Sequence, residues 1–100
     1  MDDISVLICD DSALMRNLIS RIIDGTEGMT VVAKTANGQQ ALEKIPEVNP
    51  DIIVLDIEMP IMNGIEFLRA RKERRIKTPV VVLSSVARSE EHTSELRHQV

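Results

Sequence analysis

Aromatic side chains are almost missing: Phe67 stands alone among 100 residues, with no Trp and no Tyr. Proteins that stack nucleobases need such rings, so their scarcity weighs against nucleic acid as a partner. Cysteine is equally scarce. Cys9 has no second cysteine to pair with, which excludes an internal disulfide; it sits in an apolar run and reads as a small core residue. The four glycines are scattered, and none builds a Gly-rich loop that cradles phosphates. No apolar run approaches the ~18 residues that span a bilayer. The opening Met1-Asp2-Asp3 is acidic where a secretory leader carries positive charge. A net charge of −4 lacks the basic surplus of a nucleic-acid binder. These absences predict a cytoplasmic protein with no membrane span and no nucleic-acid partner.

What is present is a globular composition, 43% hydrophobic and 28% charged, in a length that suits one domain. Four short runs stand out: Ile4-Ser5-Val6-Leu7-Ile8-Cys9, Thr30-Val31-Val32-Ala33, Asp51-Ile52-Ile53-Val54-Leu55 and Pro79-Val80-Val81-Val82-Leu83. They are rich in Val and Ile and do not alternate with polar residues, the mark of strands buried on both faces of a parallel sheet. Helical patterns lie between them. Leu14, Leu18, Ile22 and Met15, Ile19, Ile23 recur every four residues after the N-cap candidate Ser12, and Gly25 stops that helix. Asn37-Gly38 opens a second helix carrying Ala41, Leu42 and Ile45, with Pro46 expected to close it. A third starts near Gly64, with Ile65, Phe67 and Leu68 facing the core. Strand and helix alternate four times. The pattern predicts an α/β fold with a doubly wound parallel sheet.

In such sheets ligands sit beyond the carboxyl ends of the strands. There the first run ends in Asp10-Asp11, the third in Asp56 and the fourth in Ser84-Ser85. The second, expected at the sheet's edge, supplies only Thr35 and Ala36. Taken singly, Asp10, Asp11 and Ser12 could cap a helix, Asp56 could be a loop residue before Met59-Pro60, and the serines could be loop polar groups. Taken together they share one edge of one sheet. Clustered carboxylates repel unless a cation sits among them, and Mg²⁺ is the hard ion that takes oxygen ligands of this kind. A carboxylate beside it can attack phosphorus and form an aspartyl phosphate.

The stretches ICDDSALMR, DIIVLDIEMPIMNGIEFL and TPVVVLSS resemble the receiver domain of two-component response regulators over residues 1–87. The resemblance implies a flavodoxin-like (βα)5 fold in which Asp56 is the phosphoacceptor and a histidine kinase is the donor. It also implies that Asp10 and Asp11 hold Mg²⁺ with the backbone carbonyl of Glu58, and that Ser84 is the hydroxyl that follows the phosphoryl group on switching. Within that family, residues 11–16, Glu58 and the Ser84-Ser85 pair are similar to regulatory domains of chemotaxis protein-glutamate methylesterases. That likeness implies a C-terminal esterase domain and chemoreceptor targets, while free-standing chemotaxis regulators share part of the wording. Asn63 stands where the commoner form of the turn has Asp, a change the turn tolerates. Receivers also carry a lysine after strand five. The last lysine here is Lys77, so the chain reads as truncated after strand four, without strand five, its lysine or the last helix.

Residues 69–77 carry six cations and one anion, leaving +5 there and −9 elsewhere. This reads as a solvated helix end favoured by the macrodipole rather than a nucleic-acid patch. Residues 88–100 could read as a solvated fourth helix, but 88–96, RSEEHTSEL, are the in-frame translation of a widely used sequencing-library adapter, so a non-native tail is expected and no functional weight rests on His92 or His98. Two rivals to the receiver reading share its ingredients. An Asp-nucleophile phosphohydrolase would place an Asp-x-Asp pair after strand one, where this chain has adjacent aspartates. A flavodoxin-like cofactor binder would need a phosphate cradle or a stacking ring.

Overall fold

The computed structural model describes residues 3–83. Within them the chain forms β1 (Ile4–Cys9), α1 (Ala13–Asp24), β2 (Met29–Thr35), α2 (Gly38–Val48), β3 (Ile52–Asp56), α3 (Gly64–Glu73) and β4 (Val80–Leu83). The four strands make one parallel sheet in the order β2-β1-β3-β4. This is the alternating architecture expected, with β2 at an edge. Ser84, Ser85 and the 88–100 tail lie outside the described residues.

Strand β1 is paired on both sides, and Val6, Leu7, Ile8 and Cys9 are all fully buried. Alternation along it feeds two cores. Leu7 and Cys9 join Ala41, Leu42, Ile45, Ile53, Leu55, Met59 and Phe67 under α2 and α3, while Val6 and Ile8 meet Ile23 of α1. The edge strand β2 carries one extra residue against β1: Val6 pairs with Val31 but Leu7 with Ala33. The resulting bulge at Val32 leaves that side chain partly exposed, and bulges of this kind blunt an open edge against further pairing. At the opposite end of the sheet from the strand termini, Asp51 and Ser5 form a staple between β3 and β1. Asp51 Oδ2 accepts from Ser5 N at 2.8 Å and Ser5 Oγ at 3.1 Å, while Asp51 N donates to Ser5 O at 2.9 Å.

Two details depart from the sequence expectation, and the orientation of α1 settles a point it left open. Pro46 does not close α2. The helix runs to Val48 and ends at Asn49, whose left-handed backbone (φ 46°) and N–H bonded to Ile45 O terminate it. The missing Pro46 N–H costs one bond near the end of the helix, where Ile45 and Val48 still pack on the core. Ile65 is 46% exposed, leaving Phe67 as the fully buried anchor of α3. On α1, Ile23 is buried, but Leu14, Leu18 and Ile22 form an outward stripe at 68%, 44% and 69% exposure. Helix ends otherwise follow the chain: Ser12 Oγ accepts from Met15 N, Gly25 ends α1, and Asn63 forms a capping box with Glu66. Of the basic run, Arg71 and Lys72 fall in the last turn of α3, and Arg71 donates twice to Thr78 O at 2.9 and 2.7 Å. No helix among the described residues is long and apolar enough to cross a membrane.

Candidate functional site

Register brings the carboxylates together. Cys9 pairs with Leu55, so Asp10 and Asp56 come next on adjacent strands, and Asp11 opens the loop into α1. One oxygen from each of Asp10, Asp11 and Asp56 lies within 4.8 Å of the others. Asp10 is buried, Asp56 half-buried and Asp11 exposed. Glu58 joins Asp11, Ile57, Met59, Pro60 and Asn63 around an open pocket of about 670 Å³. Four of the five site residues expected from the sequence therefore share one location; Ser84 lies outside the described residues.

A buried carboxylate is costly unless it is hydrogen-bonded, and Asp10 is held on every side. Its N–H donates to Thr35 O at 3.0 Å, its Oδ1 accepts from Ser12 N at 2.9 Å, and its carbonyl accepts from Arg16 Nη1 at 2.7 Å. The donor set is all hard oxygen, which suits Mg²⁺. At a metal–oxygen distance of about 2.1 Å, octahedral geometry puts ligand oxygens about 3 to 4 Å apart, the scale of this cluster.

Beneath the carboxylates, one residue before Asp10, Cys9 is buried in the core. Its thiol donates to Asn37 O at 3.2 Å and lies 3.5 Å from Met59 Sδ. Burial pushes the thiol pKa up to about 11; the Thr35 hydroxyl pulls it down, Asp10 and Asp56 push it further up, and Arg16 lowers it. The loop from Ile57 to Asn63 forms a wall of the pocket. Gly64 N donates to Ile57 O at 2.7 Å, and a Cβ on Gly64 would lie 2.7 Å from Asp56 O and Ile57 Cα, so only glycine lets α3 begin this close to β3. Farther along, Met62 N donates to Pro60 O at 2.6 Å and Met62 O accepts from Gly38 N at 2.8 Å. The first of these bonds closes a γ-turn centred on Ile61, which has φ 68°.

Arg16 takes part in this framework without having been singled out by sequence, while Thr35 and Gly64 were read only as a strand end and a helix start. Arg16 had one legible signal: it lies one turn beyond the Ser12 cap, where a long side chain reaches back to the strand end.

A model of the response regulator receiver domain matches residues 6–99. The protein-glutamate methylesterase/protein-glutamine glutaminase of Treponema denticola is 61% identical over 88 residues, which is 88% of this chain and 24% of that protein. The corresponding protein of Treponema pallidum is 52% identical over 87 residues, 87% of this chain and 22% of that one. The chain thus spans about a quarter of the length of these curated relatives. Among solved structures, the response regulator domain of Thermotoga maritima CheB aligns with a TM-score of 0.78 at 44% identity, covering 84% of this chain and 62% of that one.

Proposed function

The chain belongs to the response regulator receiver domain family, and from that premise we propose that Asp56 accepts a phosphoryl group from the phosphohistidine of a kinase partner. The observation that carries this reading is the convergence of Asp10, Asp11 and Asp56 within 4.8 Å at the carboxyl ends of two adjacent strands. The carboxylate of Asp56 attacks phosphorus in line. A P–O bond forms as the P–N bond breaks, and the electron pair stays on the imidazole nitrogen, which takes a proton from solvent. We assign Asp10, Asp11, Asp56 and the Glu58 backbone carbonyl to Mg²⁺. When bound, the ion supplies positive charge against the oxygens of the transferring group. The chain's own contribution is placement. Ser12 and Arg16 fix Asp10, and the close start of α3 at Gly64 fixes the backbone of Asp56 and Ile57.

We further assign Ser84 as the hydroxyl that answers phosphorylation. The regulated output would be a protein-glutamate methylesterase domain in the same cytoplasmic protein, acting on chemoreceptors; the length and identity of the curated relatives support this. Asp56→Asn tests the central step. The amide keeps the size of the carboxylate but is too weak a nucleophile for phosphorus. After treatment of the full-length protein with acetyl phosphate and Mg²⁺, intact-mass spectrometry should show one added phosphoryl group in the wild type and none in the variant. Equal labelling would reject Asp56.

A further inference from the structure

We propose that the basic end of α3 and the loop after it hold an acidic segment of the protein on which the output domain acts. The proposal goes beyond the phosphoacceptor reading and rests on the output-domain reading above only for the partner's identity. Residues 69–77 carry six cations and one anion, and Arg69, Lys72, Arg74, Arg75 and Lys77 are all exposed. None of these five forms an ion pair with a carboxylate among the described residues. The helix itself does not require them. The N–H groups of Arg75 and Ile76 reach back to the carbonyls of Lys72 and Arg71 at 3.1 and 3.0 Å, so the backbone satisfies the helix end. The macrodipole acts within the last turn, whereas Arg69 precedes that turn and Lys77 lies past it. Arg75 even sits against backbone preference. Its φ of 58° is the left-handed turn position that glycine or asparagine fills without strain.

Position and composition select the partner. Strand β4 begins just after this loop and its far end pairs with Asp56, so the cations lie at the opposite end of the sheet from the carboxylate pocket. A partner held there leaves the pocket open. An arginine-rich surface attracts carboxylates and phosphates alike. A membrane anchor adds apolar side chains that enter the lipid, but Ala70 and Ile76 pack on the core instead. A nucleic-acid site offers helix N-termini or stacking rings, whereas α3 presents its C-terminus and Phe67 is fully buried. Carboxylates remain. The proposed output consumes water at a glutamyl methyl ester, releases methanol and a proton, and leaves a carboxylate on its substrate. Each turnover therefore makes the substrate protein more acidic, and a cationic end on the regulatory domain holds that protein to the same polypeptide as the esterase.

The test follows fluorescence anisotropy of two labelled peptides on the full-length protein, one glutamate-rich and one with glutamine at every glutamate. Wild type should bind the glutamate peptide, more weakly as salt rises, and leave the glutamine peptide free. Arg74→Gln/Arg75→Gln/Lys77→Gln should weaken that binding about tenfold. Arg74→Lys/Arg75→Lys keeps every charge and should stay within about threefold of wild type. Arg75→Gly should melt no lower than wild type, because glycine suits that backbone. Equal binding of the two peptides, or unchanged affinity in the glutamine triple variant, would overturn the proposal. So would tighter binding to phosphatidylserine vesicles or duplex DNA than to the glutamate peptide, or a lower Tm in Arg75→Gly, which would make the arginine structural. Failure of the phosphorylated full-length protein to release methanol from glutamyl methyl esters would instead overturn the output-domain reading and leave the peptide binding in place, so the two failures are told apart.

Discussion

Cys9 illustrates how surroundings set a side chain's chemistry. A thiol next to a cluster of carboxylates invites a reactive reading, but it is fully buried and its pKa is pushed up to about 11. Only the thiolate is nucleophilic, so the folded chain keeps this group inert. The sign follows from linkage. Between 9.0 and about 11 the unfolded chain releases the thiol proton while the folded chain retains it. Stability is therefore undiminished by this group below 9 and falls as pH rises through that window. Urea melts should show a smaller loss across it in Cys9→Ala than in wild type, and a maleimide at about pH 8 should modify wild type only on unfolding. Equal losses would mean that other groups govern the alkaline limb. At this scale the sequence was readable where chemistry follows position. Asp10, Asp11 and Asp56 end strands, and strand ends of a parallel sheet converge. The left-handed backbone of Ile61 was not, because no residue type in Pro60-Ile61-Met62 signals it; the turn is imposed by the anchors on either side.

The staple between Ser5 and Asp51 belongs to the scale of elements. It joins the starts of β1 and β3, far from the carboxylates, and fixes the register on which their meeting depends. A one-residue slip would turn every side chain of β3 to the other face, Asp56 included. Asp51→Ala removes both bonds to Oδ2 and should lower stability by about 1 kcal/mol, the partial exposure of the pair limiting the loss. Denaturant unfolding measures it, and no change in midpoint would show that backbone pairing alone sets the register. Periodicity located every described helix and strand, yet it misjudged two features of the helices. Pro46 is a stop signal in isolation, and here it is overridden by the packing of Ile45 and Val48 on either side of it. Ile65 is expected to face the core with Phe67 and Leu68 but is 46% exposed; on α1, where the spacing named two apolar series, Leu14, Leu18 and Ile22 turn outward while Ile19 and Ile23 pack on the sheet. Spacing shows that residues share a face without showing which face meets the core.

For the whole molecule, metal and fold are linked. Three carboxylates converge only in the native state, so the Mg²⁺ proposed for them would bind that state alone and stabilise it by RT ln(1 + [L]/Kd), about 1.4 kcal/mol at ten times Kd. That corresponds to a rise in Tm of roughly 5–10 °C for a domain of this size. Asp11→Asn should abolish the rise while leaving the metal-free protein at least as stable, since it relieves like-charge repulsion. Scanning calorimetry with and without Mg²⁺ decides this, and an equal rise in both proteins would place the ion elsewhere. The stapled register also governs the order in which the molecule assembles. Ser5 and Asp51 lie 46 positions apart in the chain, and so do Asp10 and Asp56. Closing a loop of that length costs about 3 kcal/mol of chain entropy before any contact across it is rewarded. Pairing β1 with β3 and gathering the carboxylates bear this same closure cost. A cation that needs the finished pocket cannot hasten its formation; it acts by holding the native state back from unfolding, so its effect appears in the lifetime of the folded chain and not in the speed of folding.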